Sequence, residues 1–328
     1  MADLLRDTFS MITEGTVLSR ETALLLARYP DQPKLWSAAD RLRRRFLGDH
    51  FHLCSIINAR SGGCTEDCRF CAQSAHHATA NVPEYSMIDY EEAMRIARSN
   101  EAHGVHRISL VTSGRAVDTR ALNQFSALYS EIQRETTMQL CASMGLLEQK
   151  HAEQLKAMNV SRYHCNLETN ARRFPEVCTT HTWQEKVATL KVAAAAGLSV
   201  CSGGIIGMGE TMEDRIDLAL ELRQLGIVGS IPINILTPLP GTPLGHLTPL
   251  PLEEVLTTIA LFRFLHPTAV IRIAGGRQQF GSNQYRCFAA GANGAIVGDY
   301  LTTTGSQIEE DLARLREMDF IVRWNGPN

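Results

Sequence analysis

The chain has 328 residues, 44% hydrophobic and 20% charged, with a net charge of -3, so it folds around an ordinary core and carries no excess of basic residues for nucleic acid or acidic lipid. Nine cysteines follow a start, Met1-Ala2-Asp3-Leu4-Leu5-Arg6-Asp7, of mixed charge and no long apolar run. That combination argues against a secretory leader and a disulfide framework, and for a reducing, cytoplasmic setting with metal or redox use. No apolar stretch approaches the roughly 18 residues of a membrane span.

Residues 3 to 48 read as short helices. Thr22 to Tyr29 holds Leu24, Leu25 and Leu26, and Trp36 to Phe46 spaces apolar residues at helical period before Gly48. No chemistry is visible there, so residues 1–48 are expected to form a helical cap and residues 49–328 one barrel domain. From residue 50 a strand-then-helix alternation sets in. The β-prone runs are His52 to Asn58, His106 to Thr112, Met138 to Met144, Ser161 to Leu167, Ser199 to Ile206, Ser230 to Leu236, Ala269 to Ile273 and Ala295 to Val297. Helical patterns separate them: Tyr90 to His103, Thr119 to Glu135, Gln149 to Met158, Trp183 to Ala196, Met212 to Leu225, Leu252 to Leu265 and Asn283 to Ala290. Eight βα units in about 250 residues match a closed (β/α)8 barrel, an α/β fold of the TIM type. An open doubly wound sheet is the alternative, because periodicity does not report closure.

Directly after the first run, where a barrel places its chemistry, stands Cys64-Thr65-Glu66-Asp67-Cys68-Arg69-Phe70-Cys71. Three thiolates at C-x3-C-x2-C spacing are one short of a closed zinc site or a fully ligated 4Fe–4S cluster. The open position suits a cluster that must bind something other than protein. A zinc loop with a distant fourth ligand, or three unrelated buried cysteines, would give the same spacing.

The longer stretch Ser61-Gly62-Gly63-Cys64 through Cys71-Ala72-Gln73-Ser74 resembles the radical S-adenosylmethionine (SAM) signature of the biotin synthase family. The aromatic residue before the last cysteine fits, as does the Gln-Ser after it. The resemblance runs over roughly residues 35 to 320 and implies a 4Fe–4S cluster on Cys64, Cys68 and Cys71. Gly203-x-Ile205-x-Gly207-x-x-Glu210 is similar to the pattern that lines the adenine of SAM in that superfamily. By the same resemblance Asn166 and Glu168 hold the SAM ribose, Asn166 also reaches the substrate, and Lys186 pairs the SAM carboxylate. Asn166 and Glu168 share strand parity, which turns both to one side. Asn234, in Pro232-Ile233-Asn234, corresponds to an amide suited to the urea ring of dethiobiotin. Thr302 and Thr303 match threonines that meet the substrate carboxylate.

Arg272, flanked by Ile271 and Ile273, matches an arginine ligand of a second, sulfur-donating cluster, and Cys141 and Cys201 match two of its thiolates. The third thiolate position reads Ser109, a departure from the family. Cys165 adjoins Asn166 and an unbroken strand would turn it away, whereas Cys178 lies in the following loop. The expectation is therefore that Cys141, Cys178 and Cys201 converge near Arg272, with Cys54 and Cys287 as packing residues. The auxiliary cluster, 2Fe–2S in the family, would then be built differently here, a four-iron form being one such. The resemblance further implies conversion of dethiobiotin to biotin, a flavodoxin- or ferredoxin-type electron donor, a homodimer, and neither nucleic-acid nor membrane partners. Another radical SAM barrel enzyme, of hydrogenase-maturase or methyltransferase type, is the rival reading. A non-catalytic iron–sulfur carrier is a further one.

Overall fold

The computed structural model describes residues 2–79, 82–298, 301 and 307–322. Nine parallel strand segments form its centre: β1 (His52–Arg60), β2 (Arg107–Thr112), β3 (Gln139–Ser143), β4 (Arg162–His164), β5 (Ser199–Cys201), β6 (Gly204–Ile206), β7 (Val228–Ile235), β8 (Val270–Ile273) and β9 (Gly294–Ile296). They bond in the order β5-β4-β3-β2-β1-β9-β8-β7-β6, and β5 also pairs with β7, which closes the ring. β5 and β6 are two pieces of one stave, so the barrel has eight. The closed alternative is the correct one.

The break in the fifth stave has a steric origin. A Cβ on Gly203 would stand 1.9 Å from the Pro232 carbonyl oxygen, and one on Gly204 would stand 2.4 Å from that of Glu168. Two neighbouring backbones thus press on the chain where an unbroken strand was expected, and only glycine admits the approach. The fourth stave is also shorter than expected, ending at His164, and four residues on Glu168 takes a left-handed backbone with φ 68°.

Strand β1 explains the inside and outside of the barrel. Leu53, Ser55, Ile57 and Ala59 are buried against the helical layer, while His52, Cys54, Ile56, Asn58 and Arg60 are half-buried and point to the lumen. Crossover helices start on side-chain caps: Asp89 before Tyr90–Ala102, Asp118 before Thr119–Glu135, Thr182 before Trp183–Ala195 and Thr211 before Met212–Gln224. The last two are full capping boxes, closed by Glu185 and Asp214. Three helices, Ala2–Thr13, Arg20–Ala27 and Gln32–Leu47, precede β1, and Trp36 donates to Thr257 of helix Leu252–Leu265 at 3.2 Å.

Two stretches differ from the periodicity. Asn283 to Ala290 is the end of a 3-10 segment, Arg277–Tyr285, followed by one turn, Arg286–Ala289. A helix over Ile308–Glu317, unanticipated, is tied to the barrel by Asp311 against Arg277, both buried. Among the described residues no helix is long and apolar enough to cross a membrane.

Candidate active site

The cysteine loop is shaped by the residues that follow it. Gln73 accepts from the Ser61 hydroxyl at 3.2 Å and from Gly62 N–H at 3.0 Å, and its own carbonyl accepts from Cys64 N–H at 3.0 Å. The Ser74 hydroxyl donates to the Glu66 carbonyl at 2.6 Å, and Ala75 N–H to the Cys64 carbonyl at 2.8 Å. These bonds bend the chain so that Cys64, Cys68 and Cys71 line one hollow of about 170 Å³, together with Lys186, Cys165 and the Gly114–Arg115 turn. Gly114 N–H donates to the Cys64 sulfur at 3.2 Å. Three thiols on one hollow are the donor set an iron–sulfur cluster takes.

A larger cavity of about 380 Å³ fills the mouth and upper lumen. Its rim carries Phe70, Cys71 and Gln73 from the loop; its wall carries Asn166, Glu168, Ile205 and Asn234; its floor carries Cys54, Ser109, Cys141, Cys201 and Arg272. Asn166 and Glu168 do share a side, as parity required, although the strand has ended before both. Asn166 accepts from Gly203 N–H at 3.0 Å, and Glu168 faces Lys186 at 3.5 Å. The second carboxylate oxygen of Glu168 is buried with no partner among the described residues, a vacancy for a hydroxyl donor. Lys186 is not the surface charge a helix lysine usually is: it is only 9% exposed. Burial opposes its charge, yet the neighbouring Cys165 thiol and the Glu168 carboxylate hold its pKa above the ordinary value.

Glu210 turns inward on its own loop. It accepts from Gly207 N–H and Met208 N–H, each at 2.7 Å, and pairs with buried Arg215 at 2.6 Å. Its part in the pattern is to fix the turn that holds Ile205 and Gly207 (φ 95°) in place. Asn234 is pinned by Gly275 N–H at 3.0 Å and by its bond to the Gly204 carbonyl at 3.3 Å, which leaves one N–H and one lone pair. Thr302 and Thr303 lie outside the described residues.

The floor of the barrel is cationic. Arg272 is 2% exposed and donates through one nitrogen to the carbonyls of His52 at 2.9 Å and Ala295 at 3.2 Å. Its other terminal nitrogen is buried with no partner, and no carboxylate pairs with Arg272 or Arg162 among the described residues. Arg107 donates to the Cys141 sulfur at 3.8 Å. Burial, then the charge of Arg272, pushes His52 down to about 2 and His106 to about 3, so both rings stay neutral. Burial raises the Cys201 thiol, but the hydrogen bond and charge of His164 outweigh it and bring Cys201 down to about 7. Buried guanidinium groups without carboxylates call for an anionic occupant, and a thiolate-ligated cluster is one.

Cys178 is not part of that floor, contrary to expectation. The short helix Phe174–Val177 returns the chain to the cysteine loop, where Arg69 N–H donates to the Val177 carbonyl at 3.0 Å. Asp67 accepts from Thr179 N–H at 2.9 Å and from the Cys178 thiol at 3.2 Å. Cys178 thus stands 3.7 Å from Cys68, sulfur to sulfur, and 3.3 Å from His181. Cys165 faces the loop hollow and does not line the larger cavity, as strand parity required. Cys54 is no packing residue: it faces the lumen and lines the larger cavity together with Cys141. Cys287 is fully buried in the core.

Comparison with known proteins gives this geometry its context. Residues 59–222 match the Radical SAM superfamily and residues 232–321 the Biotin and Thiamin Synthesis associated domain. The chain is 50% identical over 315 residues to the biotin synthase of Desulfotalea psychrophila, covering 95% of this chain and 93% of that protein. It is also 50% identical over 314 residues to that of Akkermansia muciniphila, covering 96% and 97%. The biotin synthase of Heliobacterium modesticaldum matches at 48% over 325 residues, 98% and 99% of the two chains. Among solved structures, methylornithine synthase superposes with a TM-score of 0.83 at 18% identity, covering 97% of each chain. A FeFe-hydrogenase maturase from Carboxydothermus hydrogenoformans gives 0.81 at 16% identity over 97% of this chain and 79% of that one. At such identities these two show the shared barrel alone. A radical SAM barrel with the associated C-terminal domain, half its residues shared with biotin synthases along nearly its whole length, belongs to the biotin synthase family.

Proposed function

We propose that the chain converts dethiobiotin to biotin, with Cys64, Cys68 and Cys71 holding the 4Fe–4S cluster and the barrel floor holding a second, sulfur-donating one. One observation carries this reading. A single cavity of about 380 Å³ runs from Cys71 of the cysteine loop past the Asn166–Glu168–Ile205 wall and Asn234 to the Cys141–Cys201–Arg272 floor, which supports a substrate held between the two cluster sites.

When bound, the first cluster with SAM supplies a 5′-deoxyadenosyl radical able to take hydrogen from unactivated carbon, which no side-chain acid or base can do, and the second supplies sulfur. The chain's own residues orient and enclose. Glu168, with one free carboxylate oxygen, and Asn166 accept the ribose hydroxyls. Lys186, buried and cationic, faces the SAM carboxylate from the loop hollow. Ile205 and the turn fixed by Glu210 pack the adenine. Asn234 offers its remaining N–H and lone pair to the urea ring, and Thr302 and Thr303 meet the substrate carboxylate. Arg272 offers its unpartnered nitrogen to the second cluster. A flavodoxin- or ferredoxin-type donor, a homodimer, a cytoplasmic location and a division into a cap (1–48) and a barrel (49–328) complete the proposal.

The test is anaerobic reconstitution followed by product analysis. Replacing Cys64, Cys68 or Cys71 by Ala abolishes reductive SAM cleavage. Asn234→Ala weakens dethiobiotin binding at least tenfold, the loss of about 1.4 kcal/mol of hydrogen bonding, and leaves substrate-independent SAM cleavage intact. Normal 5′-deoxyadenosine formation by a triad variant would overturn the cluster assignment. Equal loss of both activities in Asn234→Ala would make that residue a structural one.

A further inference from the structure

Beside the cysteine triad stands a second group of metal-binding side chains. Cys178-Thr179-Thr180-His181 places a thiol and an imidazole three positions apart, a short spacing at which loops hold one ion. Both are buried, Cys178 at 3% exposure and His181 at 8%. The Cys178 sulfur lies 3.7 Å from that of Cys68 and 3.3 Å from Nδ1 of His181. All three ligand atoms fall within 4.8 Å of one another. The same sulfur also meets Asp67 at 3.2 Å and Thr180 Oγ1 at 3.4 Å. A thiol has a single proton to give, so hydrogen bonding alone does not account for four polar neighbours around one buried sulfur. The loop is fixed in this place by its backbone: Asp67 accepts from Thr179 N–H at 2.9 Å and from Thr180 N–H at 3.2 Å.

We propose that Cys68, Cys178 and His181 bind one divalent transition-metal ion, of the zinc or ferrous kind, in the chain that lacks its first cluster. The distances carry the proposal. Two sulfurs bound at about 2.3 Å to one tetrahedral ion stand about 3.8 Å apart, and a sulfur and an imidazole nitrogen about 3.5 Å. The observed 3.7 and 3.3 Å agree. Thiolates on different irons of a four-iron cube stand much farther apart, so Cys178 is not a fourth ligand of that cube. Cys68 and His181 line the hollow of about 170 Å³, which gives the ion its way in. The surroundings favour a cation, because the carboxylates of Asp67 and Glu66 lie against Cys178 and His181. The cations on that hollow, Lys186 and Arg115, are paired with Glu168 and Glu185. Binding releases the two thiol protons to solvent and uses the lone pair of Nδ1. Glu66 then gives up its bond to His181 and keeps the Thr180 hydroxyl at 2.9 Å and Arg115 at 3.4 Å. Because Cys68 is shared, the ion and the cluster exclude each other, a clause that rests on the proposed function. Zinc binds such donors more tightly than ferrous iron, so zinc in this site holds Cys68 back from cluster assembly.

The test uses the full chain, stripped of clusters and kept reduced, with cobalt(II) as the spectroscopic probe and zinc as the competitor. Wild type is expected to take up a cobalt ion with tetrahedral visible bands and a thiolate-to-cobalt charge-transfer band, both removed by zinc. Cys178→Ala and His181→Ala are each expected to weaken that binding at least tenfold. His181→Cys, which offers a sulfur in place of the nitrogen, is expected to restore it with shifted bands, and this separates lost ligation from lost folding. Cys64→Ala/Cys71→Ala, which removes the other two triad thiols, is expected to keep the ion. Bands unchanged in Cys178→Ala, or lost from a Cys64→Ala/Cys71→Ala chain whose circular dichroism matches wild type, overturn the site. In reconstitution, zinc is expected to slow 4Fe–4S uptake several-fold more in wild type than in Cys178→Ala, and equal sensitivity of the two overturns the competition. A wild-type chain that binds the ion but takes up no 4Fe–4S cluster overturns the cluster reading instead and leaves the ion site standing.

Discussion

Gly203→Ala probes the point at which the fifth stave breaks. The new methyl group would lie 1.9 Å from the Pro232 oxygen, 2.9 Å from its carbonyl carbon and 3.0 Å from its nitrogen. All three contacts are backbone, so no side chain can swing aside. Carbon atoms prefer roughly 3.5–4.0 Å, and one of the two strands must move by more than an ångström. Pro232 pairs with Arg272 on the far side, and Gly203 N–H donates to Asn166 on the near side, so the displacement reaches the barrel floor and the wall together. Overpacking of this kind costs about 1–3 kcal/mol, and the strained hydrogen bond adds about 1 kcal/mol. The sum, about 2–4 kcal/mol, lowers the melting temperature by about 3–6 °C for a chain of this size. Gly229→Ala is the control, because a Cβ there meets nothing within 4 Å and its backbone is not left-handed; it should be neutral or slightly stabilising. The assay is thermal unfolding followed by circular dichroism, with SAM-cleavage rates on the same preparations. A Gly203→Ala protein that melts within a degree of wild type would refute the close-approach argument.

Two further outcomes concern parts of the chain remote from the cavity. Asp311→Ala strands buried Arg277, which also bonds Gln284 at 2.6 Å, and should cost about 3–5 kcal/mol, whereas Arg277→Met/Asp311→Leu should recover most of it; equal melting temperatures for the two variants would contradict this. His266 is buried and bonds the Ala219 carbonyl at 2.7 Å, and burial lowers its pKa from 6.5 to about 4. Between those values the unfolded chain binds the extra proton, so stability is full above pH 6.5 and falls as the pH drops toward 4, by about 2–3 kcal/mol. His266→Gln should flatten the dependence of melting temperature on pH between 7.5 and 5, and an unchanged slope would remove His266 as the cause.

The repeating unit of this barrel is readable because each stave must bury one face against helices and several crossover helices start on side-chain caps, and both features leave local patterns. Thr119–Glu135 and Leu252–Leu265 fall where their periodicity puts them. Cys71, Asn166, Glu168, Asn234 and Arg272 also fall on one cavity, with Cys64 and Cys68 on the adjoining hollow, since the loop and the strand ends meet at one mouth of the barrel. What periodicity does not carry is depth within the lumen and the path of a loop. Parity states that Cys54 faces inward, and the polar residues His52, Asn58 and Arg60 at the same parity mark that face. Only the registers of β1 with β2 and of β2 with β3, which align Ile56, Ser109 and Cys141, show that Cys54 lines the same cavity one layer from Cys141. Cys178 is misassigned for the complementary reason. The one-turn helix Phe174–Val177 is too short for a periodic signal, and it is what carries Cys178 back to Cys68. The glycines at 203 and 204 are visible in the sequence, but the neighbours that require them are not.

The bonds around the cysteine loop bear on how such a site is loaded. Gln73, Ser74 and Asp67 hold the loop through backbone N–H, carbonyl and hydroxyl groups, without help from the triad sulfurs. The conformational entropy of bringing Cys64, Cys68 and Cys71 together is therefore lost during folding of the polypeptide, not at the moment of metal binding. Small zinc-dependent domains work the other way, with metal affinity spent largely on ordering the chain. Here a cluster delivered late meets a receptacle already in shape, so cluster exchange or repair need not pass through an unfolded protein.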